Sequence, residues 1–271
     1  MRSCATATCD IQMKFSPRLF ALILPLLIVI AWSLITARGW VDPLILPAPT
    51  AVLSALGKLL TTGGLTQDLL RTTLRVLAAL GIALAVGVPC GLWLGYNRRF
   101  YEAIEGPLHA LRSLPAVALF PLFLIVIGVG EWSIVALACY NSVLVILIST
   151  VAGASQAHPR RLQMARTLGL STRELITDVL FWEALPSILT GIRVAVGYGL
   201  ALVIAVEMFI GVSQAGLGRK IFDYQSAYRI PETYAAILLT GALGVLLNLL
   251  VGLLEKRLLH WLPSASRSDN Q

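Results

Sequence analysis

Glu207 is an acidic residue that stands well inside an apolar run of the sequence, VGYGLALVIAVEMFIG. A lone carboxylate at the centre of a membrane helix costs about 2.5–3.5 kcal/mol on the insertion scale. We therefore expect Glu207 to have a basic partner, and Arg71 and Arg75 stand at the start of another apolar run. Two hypotheses follow: Glu207 pairs with Arg75 or Arg71, or its carboxylate extends to the membrane interface without a partner.

Chemistry of other kinds has few candidates. The histidines and cysteines are scattered without a CxxC pair or metal-ligand spacing, so we expect no metal site. No nucleophile stands beside a base in the apolar runs, and no GxxxxGK[ST] phosphate-binding loop occurs. The chain is therefore predicted to be no enzyme and to carry no cofactor of its own. The polar and aromatic side chains left to line a pathway are Tyr140, Asn141, Tyr198 and Asn248.

The composition indicates a lipid environment. The 271 residues are 57% hydrophobic and 13% charged, whereas a soluble domain has about 25% charged residues. The formal charge of +7 is typical of membrane orientation and anionic headgroups. Nucleic-acid binding is not expected, because no basic and aromatic motif accompanies the charge.

A membrane span needs about 20 predominantly apolar residues, and six apolar runs are candidates. They are residues 19–37, 72–96, 114–127, 133–151, 187–210 and 234–254. The third is short, and Pro115 and Pro121 are expected to bend it. The first is longer than the core of about 7–15 residues in a signal peptide, so we predict an uncleaved span. The expected fold is all-α, a polytopic membrane protein with about six transmembrane helices.

Three glycines in the second run, Gly87, Gly91 and Gly95, are each four residues apart. They share one face of a helix and leave it flat, so that another helix can approach closely.

Basic residues are distributed unevenly between the connecting segments. With the N-terminus in the cytoplasm, two thirds of the 21 basic residues fall on the cytoplasmic side. The positive-inside rule then places both termini and the segment 152–186 in the cytoplasm, and the segment 211–232 outside.

The segment 152–186 carries signals for a structured loop. HPRRLQMARTLGL predicts a short helix from Pro159, since proline is tolerated in the first turn, and Gly169 can end it in a left-handed conformation. Ala165 and Gly169 are four residues apart, so one face of this helix would be nearly bare backbone.

A second loop helix is predicted to begin at Ser171, because Ser171 and Glu174 have the spacing of a capping box. Leu185-Pro186 would stop this helix and start the fifth span. The residues predicted to share its apolar face are Leu175, Val179 and Trp182, with Ile176 and Leu180 beside them.

This loop resembles the signature of permease subunits in bacterial ABC importers: Glu-Ala-Ala, three residues, Gly, and Leu-Pro downstream. The chain has Gln163-Met164-Ala165, then Arg166-Thr167-Leu168, Gly169 and Leu185-Pro186. Gln163 and Met164 depart from the pattern, which removes the acidic contact at position 163. LILPAPTAVLSAL, LRSLPAVALFPLFLIVIGVGEWS, LPSILTGIRVA and VEMFIG resemble the branch for nitrate, sulfonates and taurine, and the resemblance covers residues 40–262.

The resemblance implies a type I ABC importer permease fold in the bacterial inner membrane. One transmembrane domain, 19–262, would lie between a cytoplasmic tail, 1–18, and a disordered tail, 263–271. The implied partners are a second permease, expected to be a homodimer mate, an ATPase that binds the ATP, and an extracytoplasmic binding protein. In this family the first loop helix docks on the ATPase and transmits its closure to the spans. For this chain, a Glu207–arginine contact would help to hold an outer gate.

Two other classes of protein would leave different features in the sequence. A self-sufficient secondary transporter or channel would show inverted repeats or several acids within the membrane, and dependence on an ATPase separates it from an importer permease. An intramembrane enzyme would need the nucleophile or metal cluster that the sequence lacks. The expected solute is a small anion such as a sulfonate, taurine or nitrate, although similar permeases carry neutral or heterocyclic solutes.

Overall fold

The computed structural model describes residues 17–62, 65–209 and 215–260, which form helices and connecting turns without a strand. The predicted tails, 263–271 and nearly all of 1–18, lie outside these ranges. The helices are α1 (Pro17–Ala37), α2 (Pro49–Thr62), α3 (Leu65–Tyr96), α4 (Arg98–Ser113), α5 (Phe120–Ile127), α6 (Glu131–Ser155), α7 (Pro159–Thr167), α8 (Thr172–Glu207), α9 (Leu217–Ser226) and α10 (Ile230–Leu258).

Four helices in the described part of the chain are long and apolar enough to cross a membrane: α3, α6, α8 and α10. The predicted third span forms a bent pair instead, in which α4 and the helix from Ala116 to Ile127 meet at 85°. The bend falls at Leu114 and Pro115, as the prolines predict. Counting this pair as one span gives five. The predicted first span lies within α1, a helix of 21 residues whose segment Ile23–Ala37 is apolar.

The centre of the bundle is the contact of α3, α6 and α8, and small residues determine how closely these helices approach. A Cβ atom added at Gly87 of α3 would lie 3.1 Å from Ile146 of α6, and one added at Gly91 would lie 2.6 Å from Thr150 of α6. Gly95 faces Ala154 in the same way. The glycines of one helix therefore receive side chains of the other at matching intervals of four residues.

The connection between α6 and α8 differs from the predicted loop 152–186. It is shorter, because α6 continues to Ser155 and α8 already begins at Thr172. The prediction that Leu185-Pro186 ends a helix is wrong, since α8 runs through Pro186 to Glu207. A π-helical turn, Leu175–Leu180, precedes the proline, and such local adjustments help a membrane helix to accommodate the lost hydrogen bond.

The π-helical turn also changes the face that α8 buries. Leu175 and Leu180, five residues apart, are each 1% exposed, whereas Trp182 is 47% exposed. Leu175 and Leu180 of the predicted apolar surface are thus buried and Val179 is partly buried, but the place given to Trp182 is wrong. An α-helical period was applied to a turn that contains an extra residue.

Candidate functional site

Glu207 lies at one end of α8 in a buried ion-pair network with Arg75 of α3. Nη1 of Arg75 donates a hydrogen bond of 2.5 Å to Oε1 of Glu207. Nε and Nη2 of Arg75 donate two more, each of 2.5 Å, to the two oxygens of Glu131 at the start of α6. The side chain of Glu207 is 0% exposed and that of Arg75 is 3% exposed. The carboxylate does not extend to the interface by itself, so that hypothesis is wrong, and Arg75 rather than the exposed Arg71 contacts it.

The network also binds the backbone that leads into α9. Oε2 of Glu207 accepts the N–H of Gly218 at 2.9 Å, and both carboxylate oxygens accept the hydroxyl of Thr72. Three further hydrogen bonds complete the network. Asp68 accepts from the N–H of Gly216 at 2.8 Å, Thr72 accepts from the N–H of Leu217 at 3.0 Å, and Arg75 donates to the carbonyl of Ala215 at 2.9 Å. We call Asp68, Thr72, Arg75, Glu131 and Glu207 the Arg75 cluster.

The start of α9 fits the Arg75 cluster closely. A negative charge at the N-terminus of a helix interacts favourably with its unpaired N–H groups and its dipole. Gly216 has a φ of +133°, and a Cβ atom there would lie 2.5 Å from the carboxyl carbon of Glu207. Only glycine allows the backbone to approach this carboxylate.

Sequence reasoning missed Asp68, Thr72 and Glu131. A signal for two of them was present, because Asp68, Thr72 and Arg75 are spaced i, i+4, i+7 and must share one face of a helix. All three are buried. Nothing in the spacing pointed to Glu131, which is brought to Arg75 by the packing of α6 on α3.

The short helix α7 occupies the other end of α3 and α8. As predicted, it begins at Pro159 and ends at Gly169, whose φ is +83°. The N–H groups of Gly169 and Leu170 bond to the carbonyls of Arg166 and Ala165, at 3.0 and 3.2 Å, which is a Schellman motif.

The exposed face of α7 is not the one that the sequence predicts. Ala165 is 6% exposed and packs within its own chain, so it cannot form a bare surface together with Gly169. Met164 and Leu168 are 65% and 78% exposed, and Gln163 and Arg166 are also exposed. An apolar and basic surface therefore stands free on α7.

Two side-chain contacts connect α7 to the long helices. Arg161 forms an ion pair with Glu183 of α8, and the guanidinium of Arg166 lies 5.8 Å from the ring centroid of Tyr96 of α3. The predicted capping box is present at the start of α8, where Ser171 and Glu174 bond reciprocally. These contacts join α7 to both α8 and α3.

A cavity of about 500 Å³ lies between α4, α6 and α8, and it contains two of the predicted pathway residues, Asn141 and Tyr198. Tyr140 does not line it; its hydroxyl donates to the carbonyl of Leu111 at 3.0 Å and joins α6 to α4. Asn248 donates to Gly244 within its own helix at 3.1 Å. The lining is completed by Arg112, Ser113, Val145, Ile148, Ser149 and Val194, and we call it the Arg112 cavity.

Membrane-length helices, a polar cavity among them and a helix–turn–helix loop at one end define a membrane transport subunit. No cluster of metal-ligating side chains occurs in the described ranges. The similarity to known proteins agrees with a membrane transport subunit. Residues 87–260 match the model of the binding-protein-dependent transport system inner membrane component, and the chain belongs to this family.

The chain is similar over most of its length to ABC transporter permeases. It is 32% identical to a putative ABC transporter permease of Methanocaldococcus jannaschii over 88% of this chain and 90% of the relative. It is 31% identical to the putative aliphatic sulfonates transport permease SsuC of Bacillus subtilis, over 89% and 86%. Other relatives are named for taurine and nitrate transport.

The fold is that of a type I ABC importer permease. The structure superposes on a chain of the MetNI methionine ABC transporter in an inward-facing conformation, with a TM-score of 0.61, 17% identity, and coverage of 72% of this chain and 95% of that one. The protein is therefore the membrane-spanning permease subunit of an ABC importer, an inner membrane component that depends on a binding protein and an ATPase.

Proposed function

We propose that this permease carries a small anion, an aliphatic sulfonate or a close analogue, as one of two identical subunits. A binding protein outside the membrane delivers the solute, and a separate ATPase in the cytoplasm docks on α7. The names of the relatives support the solute class, and so does the basic side chain of Arg112 in a cavity without carboxylates. Membership of the family removes the basis for a self-sufficient secondary transporter or channel.

The observation that supports docking of an ATPase is the exposed surface of α7. Met164 and Leu168 are apolar and largely exposed on a helix that is otherwise polar. Exposed apolar side chains at the end of a membrane bundle are more stable in contact with a soluble protein partner than in contact with water. The pairs Arg161–Glu183 and Arg166–Tyr96 would pass the displacement of a docked ATPase to α8 and α3.

The Arg75 cluster would then be the far end of this connection. Tyr96 and Arg75 are separated along α3 by about 30 Å at 1.5 Å per residue, which is the thickness of the hydrocarbon core of a bilayer. We place α7 in the cytoplasm by the positive-inside rule. The cluster then lies at the extracytoplasmic end, where it would hold the segment that leads into α9 as an outer gate.

Exposed side chains on α8 support a second permease copy. Val194 and Tyr198 are 41% and 61% exposed on one side of this helix, and Arg193 beside them is also exposed. Polar groups at this depth normally face protein or a water-filled cavity. A second copy facing α8 would enclose a path between the two subunits.

The docking surface is tested by Leu168→Glu, which places a charge on the exposed face of α7 without changing its packing. We expect this variant to insert and express normally but to lose co-purification with the ATPase subunit. Leu44→Glu is the matched control, since Leu44 is 66% exposed in a connection far from α7. Equal recovery of the ATPase with wild type and Leu168→Glu would refute docking on α7.

A further inference from the structure

We infer that the Arg112 cavity is a binding site for a small oxoanion on the solute path, an inference that rests on the proposed function. Its polar lining comes from three helices: Arg112 and Ser113 end α4, Asn141 and Ser149 belong to α6, and Tyr198 belongs to α8. Its volume of about 500 Å³ is within the range of about 300–1,000 Å³ that is typical of small-molecule sites.

The cavity lies deep in the membrane-spanning region. Asn141 is about 15 Å along α6 from Glu131, and Tyr198 is about 14 Å along α8 from Glu207, at 1.5 Å per residue. Both residues are thus near the middle of a bilayer core of about 30 Å. Polar side chains at that depth are costly unless they have a partner or line a water-filled cavity.

Three of the lining groups have no internal partner. Over residues 17–62, 65–209 and 215–260, the side chains of Arg112, Asn141 and Tyr198 make no hydrogen bond or ion pair. All three residues line the Arg112 cavity. Their partners therefore come from outside this chain: water or a solute in the cavity, or the second permease copy that we propose to face α8.

The chemistry of the lining favours an anion with several oxygen atoms. A guanidinium binds planar pairs of oxygens with two parallel hydrogen bonds. The amide of Asn141 and the hydroxyls of Ser149 and Tyr198 can donate further hydrogen bonds. No carboxylate lines the cavity to compete for Arg112. The bond from Tyr140 to the carbonyl of Leu111 joins the last turn of α4 to α6, so the backbone that carries Arg112 lies beside α6.

The charge of the cavity can be measured without ATP, binding protein or known solute. Val194→Cys, in a background without native cysteines, places a thiol on an apolar part of the lining. We measure the rate ratio of two reagents, the anionic sulfonatoethyl methanethiosulfonate and its trimethylammonium counterpart. We expect the ratio of the anionic to the cationic labelling rate to be higher when Arg112 is present. Arg112→Gln should lower this rate ratio about tenfold, and ethanesulfonate should slow labelling only while Arg112 is retained.

Arg99→Gln is the matched control, because Arg99 lies on the same helix and the substitution removes the same charge. It should leave the rate ratio unchanged. An unchanged ratio in Arg112→Gln, or an equal fall in Arg99→Gln, would overturn the site.

Uptake separates the site from the proposed function. In proteoliposomes with the ATPase and a binding protein loaded with ethanesulfonate, Arg112→Gln should lose at least about nine tenths of the uptake that the wild type and Arg99→Gln show. Wild-type uptake in Arg112→Gln contradicts the site. Absence of stimulated hydrolysis in the wild type contradicts the proposed function, and the reagent ratio then decides the site independently.

Discussion

Removal of Arg75 alone is expected to destabilise the permease more than removal of Arg75 together with the charge of Glu207. Arg75→Met keeps the length of the side chain but leaves a fully buried carboxylate without its cation. Breaking a buried ion pair by removing one partner costs about 3–5 kcal/mol. In the double variant Arg75→Met/Glu207→Gln, the uncompensated charge is gone.

The hydrogen bonds around Glu207 determine the size of the effect. A glutamine at this position still offers an oxygen to the N–H of Gly218 and the hydroxyl of Thr72, which lie 2.9 Å from the carboxylate. Glu207→Gln alone should cost about 1–3 kcal/mol, since Arg75 keeps both bonds to Glu131. The double variant should be at least about 2 kcal/mol more stable than Arg75→Met.

The assay is a double-mutant cycle in which the free energy of unfolding is measured by tryptophan fluorescence of the purified protein in mixed micelles. The control cycle uses Arg98→Met and Glu102→Gln, an exposed ion pair on α4, for which we expect a coupling below about 0.5 kcal/mol. Additive effects at Arg75 and Glu207 would refute the reasoning. Exchanging these two residues is a poorer test, because an arginine at position 207 would face the N–H of Gly218.

Three further predictions concern the helices and the orientation. Gly169→Val should cost about 1–2 kcal/mol at a φ of +83° and weaken ATPase co-purification, whereas Gly169→Asn should be tolerated; wild-type uptake in Gly169→Val would contradict this role. Gly91→Ala should lower the unfolding midpoint because its Cβ would overlap α6, but Gly81→Ala, with nothing within 4 Å, should raise stability by about 0.5–1 kcal/mol. On intact cells an impermeant thiol reagent should label Ser226→Cys and spare Ser171→Cys, and the opposite pattern would reverse the orientation.

The sequence predicts features that depend on local chemistry. Pro159, Gly169 and the Ser171–Glu174 capping box each act within a few residues of the chain, so their roles are visible without tertiary structure. The glycines of α3 also predict a close contact with another helix, but they do not identify that helix. A buried Glu207 carboxylate requires a partner, because its charge is costly within the membrane. This cost is sufficient to predict Arg71 or Arg75 as the partner.

Other features arise only from the arrangement of the helices in space. The burial of Ala165 depends on how α7 rests against the bundle, which no local pattern records. The continuation of α8 through Pro186 depends on a π-helical turn and on neighbours that compensate for the missing N–H. The Arg112 cavity combines three helices that are far apart in sequence, and Arg112 itself looks like an ordinary basic residue at a membrane boundary.

The intervals of small residues between the central helices restrict how the permease can move. Besides the contact of α3 with α6, Gly153 of α6 faces Ser187 of α8, and Gly191 of α8 faces Ser149. Sliding at either interface would require a shift of four residues, about 6 Å, before the surfaces fit again. Shear within this trio is thus disfavoured, and α3, α6 and α8 should turn as one rigid body when α7 is displaced. If the segment that leads into α9 is the outer gate proposed above, its opening would break the hydrogen bonds from the N–H groups of Gly216 and Gly218, whereas the Arg75–Glu207 ion pair joins two helices of that body and would persist.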